Sequence, residues 1–98
     1  MIKILYFEGC PHHAETVALT RAAVAECGRD VEIREILVST ESEADRMKFL
    51  GSPSVRVNGT DIEPEARERT EFALSCRLYG KSGVPPKALL IEALREDV

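Results

Sequence analysis

The chain has 98 residues, 44% of them hydrophobic and 31% charged, with a net charge of −4. That is one soluble globular domain's worth of chain, expected to span residues 1–98, and too little for two cores. No basic block stands out, which argues against a nucleic-acid reader or a binder of anionic membranes.

The N-terminal apolar run, Ile2 to Phe7, is far too short for a signal sequence or a membrane span, so a cytoplasmic location is expected. Bounded by Glu8-Gly9, it reads as a strand buried on both faces. A helix of about four turns is predicted from His12 to Cys27. Val17, Ala18, Arg21, Val24 and Ala25 lie at helical spacing, with Pro11 suited to its first position and Gly28 to its end. Val31 to Val38 alternates and predicts a second strand. Thr40 and Glu43 form a capping box for a helix carrying Ala44, Met47 and Leu50, closed by Gly51.

Ser54–Val57 and Thr60–Ile62 flank Asn58-Gly59, a strong hairpin signal. The segment 63–71 is crowded with charge, and Glu65, Arg67, Glu68 and Arg69 read as a solvated surface. Residues 72–79 fit either a strand or a packed loop. A last helix is predicted from about Pro86 to Arg95, with Leu90, Ile91 and Leu94 inward. The order implies an α/β domain: a mixed sheet of about four strands, parallel where strand–helix crossovers join it, with the hairpin at an edge and helices on both faces.

Three cysteines, Cys10, Cys27 and Cys76, are too few and too scattered for a disulfide framework. Cys10 stands between a strand end and a helix start, where unpaired N–H groups favour a thiolate. His12 and His13 are near enough in sequence to tune it. Cys27 lies 17 residues further along the same helix, ~25 Å away, and reads as a packing residue. Ser52-Pro53, at the entry to the hairpin, is expected to lie beside Cys10.

Gly9-Cys10-Pro11-His12-His13, Ser52-Pro53 and Asn58-Gly59 together resemble the thioredoxin-like family, most closely over residues 1–62. The resemblance implies a three-layer sandwich, Cys10 as nucleophile and Pro53 as a cis proline packed against it. His13 stands where that family carries its second cysteine. A resolving thiol would therefore have to be Cys76 or come from outside.

The function expected is a thiol–disulfide oxidoreductase of monothiol type. Cys10, His13 and Cys76 would be catalytic, with Pro11, His12, Ser52 and Pro53 on the substrate side. The partner would be a protein or small-molecule thiol or disulfide, without cofactor, nucleic acid or membrane. Two other classes fit the same residues. One is a soft-metal or organomercurial-binding module using Cys10 and His13, with Cys76 as a further ligand. The other is a non-catalytic binding domain using the groove beside Pro53. No four-ligand zinc spacing is present, and no metal site is assigned.

Overall fold

The computed structural model describes residues 1–80 and 82–96. The chain folds as β1 (Ile2–Tyr6), α1 (His13–Glu26), β2 (Ile33–Leu37), α2 (Glu41–Arg46), β3 (Ser54–Val57) and β4 (Thr60–Asp61). A single 3-10 turn at Pro64–Ala66 and the helix α3 (Lys87–Glu96) follow. This is a mixed α/β fold around one four-stranded sheet of order β2-β1-β3-β4. β1 and β2 pair in parallel, as a strand–helix–strand crossover requires. β3 pairs antiparallel to β1 and lies inside the sheet, so the hairpin supplies an interior strand and leaves only β4 at the edge. Asn58 (φ 49°) and Gly59 (φ 85°) form its turn, with both central residues left-handed.

Each sheet face has its own apolar cluster. Ile2, Ile4, Val55 and Val57 meet Ala23 of α1 and Leu90, Ala93 and Leu94 of α3 on one face. Leu5, Val38, Ala44 and Phe49 form the smaller cluster, with Ile36, Met47 and Leu74 packed against it. Phe49 is fully buried there, and truncating such a side chain to Ala costs ~3–5 kcal/mol.

Of the predicted α1 stripe, Val17 and Val24 are half-buried against the larger cluster, but the most buried residues lie beside them. These are Thr16, Thr20 and Ala23, while Ala18, Arg21 and Ala25 are exposed. The two threonines are fully buried. Each hydroxyl donates to the carbonyl one turn back, Thr16 to His12 and Thr20 to Thr16, both at 2.8 Å, so neither is buried unsatisfied.

Two helices end in the same way with different residues. After α1, the Arg29 amide reaches the Val24 carbonyl and the Gly28 amide reaches that of Ala25, with Gly28 left-handed at φ 65°. After α2, the Phe49 amide reaches the Ala44 carbonyl and the Lys48 amide that of Asp45. There the left-handed residue, at φ 56°, is Lys48. The cap therefore stops α2 at Arg46, short of the predicted end at Gly51. The Thr40 half of the capping box is present, its Oγ accepting from the Glu43 amide at 3.0 Å, while the Glu43 carboxylate meets the Thr40 hydroxyl at 3.3 Å.

Candidate functional site

Beyond the end of β1 the chain turns sharply from Phe7 to Cys10. The Cys10 amide donates to the Phe7 carbonyl at 3.3 Å, and Gly9 holds φ 83° at the third position. A type II turn requires that left-handed residue, and glycine takes it without steric cost. Cys10 is half-buried and its thiol is free. Helix α1 begins three residues later, with His12 as its N-cap, so Pro11 precedes the helix and does not open it. Among the described residues no amide donates to the Cys10 sulfur. The expected backbone support for a thiolate is thus not a direct hydrogen bond.

The same turn is tied to the loop ahead of β3. The Phe7 amide donates to the Ser52 Oγ at 3.3 Å, across 45 residues of chain. The Ser52–Pro53 peptide bond is cis, and both residues are buried. Phe7 thus offers one backbone group to Ser52 and the other to Cys10.

The backbone of Ser52 is already occupied. Its amide donates to the Ser75 carbonyl at 2.7 Å, and its carbonyl accepts from the Arg77 amide at 2.9 Å. Residues 75–77 lie along it as a one-residue parallel bridge between Ser52 and Cys76. No free Ser52 backbone edge is left for an added peptide strand. Cys76 itself is exposed.

Arg77 fastens this segment. It is 4% exposed and binds both oxygens of the buried Asp61, at 2.6 and 2.7 Å. It also donates to Glu63 at 3.0 Å and to the Ser54 hydroxyl at 3.2 Å. Burial opposes the Arg77 charge, but the Asp61 hydrogen bonds and nearby negative charge outweigh it and raise its pKa. The guanidinium lies over the Tyr79 ring, 4.6 Å from its centre, and the Tyr79 hydroxyl donates to the Pro53 carbonyl at 2.7 Å. Burial pushes the Tyr79 phenol well above its ordinary pKa, with the Arg77 charge pulling the other way.

The two histidines take different places. His13 stacks on Tyr6, ring centres 3.7 Å apart, and its Nε2 meets the Glu35 carboxylate at 2.7 Å. Its Nδ1 is buried without a partner. These contacts pin the start of α1 to β1 and β2. His12 packs against Gly83: a Cβ on that glycine, itself at φ 77°, would overlap the imidazole.

Cys27 caps the far end of α1 and packs against the larger core cluster, in line with its reading as a packing residue. Among the described residues no group of three Cys, His, Asp or Glu side chains is gathered around a common point. A cavity of about 320 Å³ opens against Phe7 and Glu8 of the turn, walled by Val38, Ser39 and Leu74. Among the described residues no helix is long and apolar enough to cross a membrane.

Comparisons with family models, with curated proteins and with solved structures each found no match. The Arg77–Asp61–Glu63–Tyr79 cluster had no signal in the sequence. Arg77 sits in an alternating stretch, and its partners are identifiable only once β4 is placed.

Proposed function

We propose that the chain is a thioredoxin-like thiol–disulfide exchange domain of monothiol type, with Cys10 as the attacking thiol. The observation that carries this reading is the pair of bonds through Phe7, which ties the Cys10 turn to Ser52-Pro53. A half-buried thiol on a fixed turn at the carboxyl end of a sheet strand suits a nucleophile presented to a ligand.

In the step proposed, the Cys10 sulfur, having given its proton to solvent, attacks one sulfur of a disulfide. A new S–S bond forms to Cys10, the old one breaks, and the departing thiolate takes up a proton. An external thiol then attacks the mixed disulfide and releases Cys10 reduced. The electron pair passes from that thiol to the substrate.

The substrate best suited to this surface is a small disulfide. A peptide adding as a strand needs free backbone groups, and those of Ser52 are held by residues 75–77. A cavity of a size for small molecules opens against Phe7 and Glu8 of the same turn, with Cys10 itself outside its wall. His13, held by Tyr6 and Glu35, acts as a positioning residue for the start of α1.

The test is exchange with hydroxyethyl disulfide in the presence of an external thiol. Cys10→Ser should abolish the protein-dependent rate, and Cys76→Ser should leave it. An unchanged rate in the Cys10 variant would end the proposal.

A further inference from the structure

Four cations of this net-acidic chain line one cavity. A space of about 310 Å³ lies between the end of α2, the β3–β4 turn and the segment after the 3-10 turn, with Lys48, Arg56, Arg67 and Arg69 in its wall. Their charges are only partly cancelled, with Asp61 opposite Arg56 in the sheet and Glu96 near Arg67. Arg56 donates to the Lys48 carbonyl at 2.7 Å. Among the described residues, no carboxylate forms an ion pair with Arg56, Lys48 or Arg69. Arg67 donates to the Asp61 carbonyl at 2.8 Å and meets Glu96 only at 3.6 Å. The acidic side chain in the wall is Asp61, and Arg77 already engages both its oxygens.

Two further observations point the same way. Across the sheet, Lys3 faces Arg34 on one side and Arg56 on the other, so three cations stand in one row on one face. Like charges opposite one another weaken a sheet; Glu32 pairs with Arg34 and Asp61 faces Arg56 from β4, which leaves Lys3, beside Arg56, without an ion pair among the described residues. In addition, Lys48 occupies the left-handed helix-end position that α1 gives to Gly28. A lysine where glycine fits best is a local conflict of the kind that gathers at binding sites.

We propose that this cavity binds a small organic phosphate of about mononucleotide size. The guanidinium groups of Arg56, Arg67 and Arg69 present forked donors that match phosphate oxygens, and Lys48 adds a point charge. Leu50 and Phe72, also in the wall, meet the flat or apolar part of the ligand. Three cations outside any ion pair among the described residues, Lys48, Arg56 and Arg69, suit a dianion better than a single carboxylate. The volume lies at the lower end for small-molecule pockets, which excludes a bulky polyanion from the cavity itself. The site is separate from Cys10: Arg56 pairs with Lys3 near the start of β1, and Cys10 follows its end.

The test is titration of the whole chain with adenosine monophosphate, read by calorimetry and by two-dimensional amide spectra. Saturable binding is expected, with shifts at Gly59, Thr60 and Phe72 and weakening as salt is raised. Adenosine and inorganic phosphate should each bind at least about tenfold more weakly, a loss of about one pK unit in affinity. Arg69→Gln, an exposed change, should weaken binding several-fold, and Arg56→Gln by more. Cys10→Ser should bind as the parent does. No saturable binding at millimolar nucleotide would overturn the proposal. So would adenosine binding equally well, inorganic phosphate binding as tightly, no effect of Arg69→Gln, or binding of an RNA oligomer without any of the mononucleotide.

Discussion

Phe7 and Ser52 are joined by one hydrogen bond, amide to hydroxyl, at 3.3 Å. Because the Phe7 carbonyl also holds the Cys10 amide, this bond sets the Cys10 turn relative to the loop before β3. Ser52→Ala leaves a half-buried amide without its acceptor, which costs ~1–3 kcal/mol. Urea unfolding should show that loss. Exchange at Cys10 should slow in the same variant well below its unfolding midpoint, since the turn is no longer fixed.

Arg77 and Asp61 are both buried and face each other through two bonds. Removing one partner strands the other charge, and such changes cost ~3–5 kcal/mol. Arg77→Met should therefore lose a large part of the domain's stability, read by denaturant midpoint. The double change Arg77→Met with Asp61→Asn should recover part of it, because the buried carboxylate is gone and only Glu63, which is partly exposed, remains.

Tyr79 gives the stability an alkaline edge. Its folded-state pKa is raised, chiefly by burial. A group raised on folding binds its proton more tightly in the native state, so its contribution is complete below the unfolded value. It declines once the pH climbs past ~10, as the unfolded chain ionises first. Unfolding free energy should fall with pH above that point, and Tyr79→Phe should flatten the slope. That variant also loses the 2.7 Å bond to the Pro53 carbonyl, at a cost of ~1 kcal/mol near neutrality.

Lys48 at φ 56° invites the opposite result. Left-handed backbone costs an L-residue ~1–2 kcal/mol, and glycine escapes that cost. Lys48→Gly should therefore raise the urea midpoint. If the cation serves the phosphate cavity, the same variant binds nucleotide more weakly while being more stable. Both readings come from one preparation.

Much of the fold was legible because its signals are local. Asn58-Gly59 makes the hairpin turn, Gly28 ends α1, and the Thr40 box starts α2. The end of α2 was not, since lysine is an ordinary helix residue and nothing nearby in sequence marks it as a stop. The buried side of α1 was obscured because Thr16 and Thr20 count as polar until their hydroxyls are seen to bond back into the helix. Residues 63–71 gave no period, and the alternation around Arg77 did not decide between a strand and a packed loop. Their order comes from tertiary bonds: Arg77 to Asp61, Ser52 to Ser75 and Arg77, Tyr79 to Pro53.

The candidate site divides in the same manner. The meeting of the Cys10 turn with Ser52-Pro53 follows from strand order and could be anticipated. His13's commitment to Glu35, 22 residues on, could not, because it depends on how β2 sits against β1. Arg67 and Arg69 look like solvated surface in sequence, and only the β3–β4 turn and Lys48 make them part of a wall.

The most direct measurement is which thiol reacts. The three cysteines differ in exposure, Cys76 being exposed and Cys10 and Cys27 half-buried. The folded chain, treated with less than one equivalent of hydroxyethyl disulfide and mapped by peptide mass spectrometry, should carry its first adduct on Cys10. An adduct appearing first on Cys76, with Cys10 unmodified, would mean that reactivity follows exposure alone and would contradict the assignment of Cys10 as the nucleophile.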